Sequence, residues 1–336
     1  MNLKLAYFSI DHSNSTSEPP PRELLKFCYW CLRGSHIAIG LAAVASILSG
    51  IAETLTAALM GFILDLIIKS EPTTLLSENF FILGFVFVFL LGVRPFFFAF
   101  SAYLQSVVLG PGLRTLVASR LHRWTLGHSK TFFENDFAGR IAQKEVQASG
   151  ALTDVVIESI HTVLFALTSV LAAVAIISLI DWRIGIIVVV WFCGFILVMR
   201  FFMPRIKVKA ASSANAQANA TGQIVDTLSN IDIVKLFANS SHEDKAALRA
   251  FKTLRNKLRV YGGELVWFRT FMMVYASFVF VAVLACSIAL WVQGLASTGE
   301  AVAAGSVSMR LTMMAGWVGF SFMSIYTKLG VVEDAM

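Results

Sequence analysis

Residues 152–202 read LTDVVIESIHTVLFALTSVLAAVAIISLI DWR IGIIVVVWFCGFILVMRFF, two apolar runs parted only by Asp181, Trp182 and Arg183. Roughly 20 apolar residues span a bilayer as a helix, so this stretch predicts a helix that crosses, turns and crosses back. Comparable runs occupy residues 37–68, 80–108, 265–292 and 302–325, which with 152–180 and 184–202 makes six. The gaps after the first, third and fifth runs are short. Those after the second and fourth are long, charged and amphipathic. The pattern predicts an all-α membrane protein with six long transmembrane helices whose helical extensions project from one side of the bilayer.

Charge identifies that side. Arg114, Arg120, Arg123, Lys130, Arg140 and Lys144 lie in the first long gap, and a dense series from Arg200 to Arg259 runs through the second. The opposite loops hold little more than Lys69 and Arg183. Lys and Arg are retained on the cytoplasmic face during insertion, so both long gaps and both termini are expected to be cytoplasmic. The net charge of +6 is thereby a topology signal and gives no reason to expect a nucleic-acid partner. The lipid bilayer is the expected medium, and a bacterial inner (plasma) membrane the expected location.

With 57% hydrophobic residues spread along the chain, no stretch is left for a soluble catalytic domain. Cys28 and Cys31 form an isolated C-x-x-C without a second pair or spaced histidines, so no metal site is expected. Residues 1–21 begin with a short apolar run, turn polar and end in Pro19, Pro20 and Pro21, which predicts a disordered tail with a stiff end. Residues 22–33 mix apolar and basic side chains and are too short to span. They predict an interfacial helix on the cytoplasmic membrane surface, with Tyr29 and Trp30 at headgroup level. The other reading of this segment is the first turn of the first spanning helix.

Leu113, Leu116, Val117, Leu121 and Trp124 recur at helical spacing against Arg114, Arg120 and Arg123, so the second spanning helix is expected to continue into the cytoplasm. Leu248, Phe251, Leu254, Leu258 and Tyr261 repeat that arrangement before the fifth run. Long helices should therefore descend from the membrane and turn back near residues 131–140 and 229–241.

At those turns the chain reads TFFENDFAGR (131–140) and NIDIVKLF (230–237). Their order, the six runs and the loop asymmetry resemble the membrane domain of ABC exporters (type IV ABC transporter fold) over residues 22–330, with 331–336 as the start of a linker to an ATPase domain. In that family an F-F-x-x-x-x-x-G stretch precedes one short coupling helix and an I-x-x-V-K-x-F stretch follows a second. The resemblance implies two coupling helices, with Phe133, Asn135, Phe137 and Arg140 touching nucleotide-binding domains at the first, and Thr227, Leu228, Asn230 and Ile231 at the second. This chain departs from the family after V-K-x-F, where Ser240, Ser241 and His242 precede Glu243.

No G-x-x-x-x-G-K-[ST] stretch occurs, so no phosphate-cradling loop or P-loop lysine is present, and this chain alone is not expected to be an enzyme. The resemblance places ATP and magnesium on a partner or missing nucleotide-binding (ATPase) domain. It implies a second copy or homologue of the membrane domain, giving a dimer that exports a substrate by alternating access. The rival readings are an ATP-independent six-helix carrier or channel, and a regulatory or degenerate membrane subunit.

Charges inside apolar runs are costly and point to function. Glu53 and Arg94 fall at similar depth, counted inward from opposite ends of a hairpin, and predict an intramembrane charge pair; a substrate site is the other reading. Met309, Met313, Trp317, Phe320 and Ser324 recur at helical spacing in the last run, an adaptable stripe for apolar ligands, with Arg310, nearer the outer face, available to an anionic group. Ordinary helix packing would produce the same stripe.

Overall fold

The computed structural model describes residues 10, 11, 13, 19–134, 138–236 and 240–336, and every regular element among them is helical. The helices are α1 (Leu24–Leu32), α2 (His36–Lys69), α3 (Phe80–Leu126), α4 (Lys130–Glu134), α5 (Ile141–Ile180), α6 (Trp182–Ser229), α7 (Ile231–Leu236), α8 (Ser240–Val292) and α9 (Thr298–Asp334), with a further four-residue helix, Leu75–Glu78, between α2 and α3. Five of them, α2, α3, α5, α6 and α8, are long and apolar enough to cross a membrane by length and composition. The sixth expected span, α9, is 37 residues long. Arg310 and a run of Gly, Ser and Thr residues dilute its apolar character, so composition supports five spans where the six-run reading expected six. At ~1.5 Å per residue the 48 residues of α6 reach ~72 Å, more than twice the ~30 Å hydrocarbon core.

Two compact units divide the chain, Val190–Ala276 and the remainder. In the larger unit α2 packs along α9, α5 and α3. The buried face of α2 carries Ala38, Ala42, Ala45, Ser49 and Ala52, alternately four and three residues apart, and small side chains at that spacing let helix backbones approach closely. Hydroxyls add cross-helix bonds: Ser46 Oγ donates to Ile160 O at 2.9 Å and Thr54 Oγ1 to Ser169 O at 3.4 Å. At the far end of α2 a Cβ on Gly61 would lie 2.0 Å from Gly299 O. There Asp65 holds the start of α9, accepting from Ser297 Oγ at 2.5 Å and Gly299 N at 2.6 Å. Ser297 and Glu300 complete a reciprocal capping box at the same helix end.

Among the described residues three π-helical segments widen the long helices, at Phe89–Val93, Leu104–Leu109 and Ser159–Leu164. Pro95 and Pro111 follow the first two within two residues. A proline has no N–H to donate and its ring displaces the carbonyl one turn back, and a wider turn accommodates both effects. The third segment contains no proline, and its His161 Nδ1 lies 3.0 Å from Gln105 Nε2 in the second. The tight turn between α5 and α6 is closed by Asp181, whose Oδ1 accepts from Arg183 N at 2.8 Å.

The smaller unit is built on α6 and α8. Trp191 Nε1 donates to Tyr275 O at 3.2 Å, Tyr275 OH donates to Trp191 O at 2.6 Å, and the two rings stack. Gly194 is required beside this pair, because a Cβ there would lie 2.1 Å from the Tyr275 hydroxyl. Lys209 and Glu264 form a one-to-one ion pair on the same two helices.

Helix α1 is separate from α2 and packs against the rest of the larger unit. Tyr29 is exposed, but Trp30 is only 6% exposed, packed with Phe27 and Cys31 against Val117, Leu121, Ala148, Leu152 and Val332. Arg120, expected on a basic outer face of α3, is 2% exposed. Its guanidinium donates to Trp30 O and Cys31 O at 2.9 Å each and to Arg33 O. Those carbonyls end α1, where Trp30 O also accepts from Arg33 N at 3.4 Å, so one buried cation adds donors that cap the helix and offset its own burial. Of the expected tail, residues 1–9, 12 and 14–18 lie outside the described residues. Ile10 meets the backbone at Gly112, and Arg123 Nη1 donates to Ser13 O at 2.8 Å.

Candidate functional site

Glu53 on α2 joins Arg94 on α3, whose Nε donates to Glu53 Oε1 at 2.9 Å. Arg310 of α9 reaches the same carboxylate through Nη1 to Oε2. Counting along the last apolar run put Arg310 nearer the outer face; α9 brings it to the depth of Glu53 instead. The group is therefore a triad with two cations and one anion, and Arg310 Nε is buried without a hydrogen-bond partner. Glu53 lies 17 residues into α2, ~26 Å from its N-terminal end. An unbalanced charge there costs ~2.5–3.5 kcal/mol on insertion scales, so the surplus cation has physical weight.

A second triad follows further along α9. Lys328 Nζ lies 2.7 Å from Glu158 Oε1 and 3.1 Å from Asp154 Oδ2, both on α5. Ser324 Oγ donates to Glu158 Oε1 at 3.0 Å, and Glu158 Oε2 is buried with no partner. Here one cation faces two anions. Asp154 and Glu158 escaped the sequence reading, although two carboxylates four residues apart at the edge of an apolar run are a usable signal for a partner cation elsewhere.

The stripe on α9 divides between several surroundings. Met309 lines an apolar cavity of about 420 Å³ with Phe280, Leu284, Ile288, Trp291 and Val302. Met313 is exposed, Trp317 is half-exposed with its ring 6.0 Å from that of Phe165, Phe320 is half-buried, and Ser324 belongs to the Glu158 triad.

The turns between α3 and α5 and between α6 and α8 each hold a short helix. In α4, Phe132 packs edge-on to Phe133 and tilts against His128 at 4.4 Å, leaving Phe133 39% exposed. Asn135 and Phe137 lie outside the described residues, as does the side chain of Arg140. The second motif forms the short helix itself, since Ile231 to Leu236 is α7. Thr227 and Leu228 belong to the last turn of α6, Thr227 Oγ1 donating to Gln223 O at 2.9 Å. Asn230 occupies the joint, its Nδ2 donating to Asp226 O at 3.0 Å and Oδ1 at 3.1 Å. Ile231, Ile233 and Leu236 are all exposed. Among the described residues no cluster of three or more His, Cys, Asp or Glu could hold a metal ion.

This helical membrane architecture, with a short helix at each long turn, has known counterparts. The chain belongs to the family described as ABC transporter transmembrane region, which matches residues 39–315. It is an integral, multi-pass membrane domain. It is 25% identical over 335 residues to an uncharacterized ABC transporter ATP-binding protein of Haemophilus influenzae, covering 96% of this chain and 52% of that protein. A solved structure titled as a bacterial Atm1-family ABC exporter with ATP bound shares the fold with a TM-score of 0.72 at 14% identity, covering 88% of this chain and 52% of the other. The chain thus spans about half the length of these relatives.

Proposed function

We propose that the chain is the membrane-spanning subunit or domain of an ATP-driven exporter, with α2, α3, α5, α6, α8 and α9 as six spans and α4 and α7 as its two coupling helices. Two such domains form the transport pathway, powered by nucleotide-binding domains that carry ATP and magnesium. Both termini face the cytoplasm, and the location is a bacterial inner membrane. The observation that carries the reading is that α4 and α7, the short helices at the two turns that bear the motifs, each present apolar side chains outward: Phe133 on one, Ile233 and Leu236 on the other. A short helix with exposed apolar anchors fits a groove on a partner, and closure of paired motors would reach the spans through it.

The test is Phe133→Ala in the complete transporter with its ATPase domain. One buried aromatic anchor at an interface is worth ~2 kcal/mol or more, so transport should fall by about thirtyfold at unchanged membrane insertion, while ATP hydrolysis loses its response to substrate. Normal transport and normal substrate-stimulated hydrolysis in this variant would overturn the proposed coupling.

A further inference from the structure

We infer that Arg310, Arg94 and Glu53 form a binding site for an anionic head group, a carboxylate or a phosphate, carried by an amphipathic molecule. The inference rests on the exporter reading only in taking that molecule to be the transported one.

Three observations point the same way. The charges do not balance: Glu53 gives one oxygen to each guanidinium, and among the described residues it is the only carboxylate in an ion pair with either arginine. The donors do not balance either, since Arg310 Nε is buried with no acceptor. A guanidinium presents five N–H groups in a planar fork that matches a carboxylate or phosphate, so an incoming anion would offset the surplus charge through N–H groups that Glu53 leaves unused. Thirdly, the surface beside the cluster suits an apolar tail. Met313 and Trp317 stand three and seven residues beyond Arg310, on its side of α9, and both are accessible. Methionine adapts to varied apolar shapes, and a tryptophan face gives a tail a flat contact. The one-to-one pair of Lys209 with Glu264 offers no such surplus.

The probe is 11-bromoundecanoate added to the full chain in phosphatidylcholine nanodiscs. Its bromine quenches tryptophan, and the part of the quenching that Trp317→Phe removes reports this site. Saturable quenching is expected with the carboxylate and not with 11-bromoundecyltrimethylammonium. Arg310→Gln should weaken binding about tenfold or more, because a charge-assisted hydrogen bond is lost, and Arg310→Lys should recover part of the loss. Glu53→Gln frees both guanidiniums and should tighten binding, a direction that misfolding cannot produce. Equal quenching by both head groups, or undiminished binding in Arg310→Gln, would overturn the site.

Competition by inorganic phosphate would identify a free anion as the occupant, and competition by phosphatidylglycerol in the disc a lipid head group; each result retains the anion site. In the complete transporter, stimulation of ATP hydrolysis by 11-bromoundecanoate should vanish in Arg310→Gln. Binding without stimulation would keep the site and overturn its link to transport. Stimulation surviving Arg310→Gln would overturn the site and leave the exporter reading intact.

Discussion

The two charged triads on α9 differ in sign and share a design. Around Glu53 two cations meet one anion; around Lys328 one cation meets two anions; each leaves one buried polar atom without a partner. Arg310 and Lys328 stand 18 residues apart, ~27 Å along the helix. Lys209 and Glu264 form a balanced pair. An unbalanced one keeps a surplus charge in a costly place, and the surplus is what a ligand or a moving element can use. The first triad has accessible apolar side chains beside it, whereas the second is locked by Ser324.

The largest expected effect follows from removing the member that both partners share. Glu53→Gln leaves two guanidiniums without their anion and should cost ~3–5 kcal/mol, read as a drop in thermal stability in detergent. Arg94→Gln leaves Glu53 and Arg310 one to one and should cost ~1 kcal/mol or less. Equal losses would mean that the triad is not one electrostatic unit. At the second triad the order inverts. Lys328→Met strands two carboxylates and should cost ~2–3 kcal/mol, while Glu158→Gln leaves Asp154 balanced by Lys328 and should be nearly neutral.

Asp65→Ala gives a smaller effect. It removes the acceptor that holds Ser297 and Gly299 and should cost ~1 kcal/mol, lowering stability without changing the order of losses at either triad. The smallest effect concerns Cys31, whose thiol is pushed up to about 12 from an ordinary 9.0, first by burial and then by Cys28. The folded state thus favours the protonated thiol. That contribution is intact below about pH 9 and lost as pH rises towards 12. At neutral pH its thiolate fraction is about a thousandth of normal, so maleimide should alkylate Cys31 far more slowly in the folded chain than after unfolding.

Much of the helical architecture was legible because apolar run length is a property of consecutive residues. The run at 37–68 lies within His36–Lys69, and the one at 184–202 within Trp182–Ser229. What escaped the reading depends on partners remote in the chain. Arg120 shares its spacing with Arg123, yet it is buried because the carbonyls at the end of α1, nearly 90 residues earlier, need a donor. Arg310 looked isolated until α9 packed along α2, and Lys328 finds Glu158 across 170 positions. The π-helical turns carry a local signal in Pro95 and Pro111, but the one at Ser159–Leu164 carries none. The second motif marked the turn itself, where Ile231 to Leu236 forms a short helix.

The most direct test of the exporter reading is sidedness, because both short helices must face one compartment and the loop before α9 the other. In a chain whose four cysteines are replaced by alanine, single cysteines at Phe133, Ile233 and Leu295 are exposed to a membrane-impermeant maleimide applied to intact cells. Leu295 serves better than Ser297, which caps α9 and bonds Asp65. The expected result is labelling of Leu295→Cys in intact cells, and of Phe133→Cys and Ile233→Cys only after permeabilisation. Labelling of Leu295→Cys and either short-helix cysteine from the same side would contradict the account.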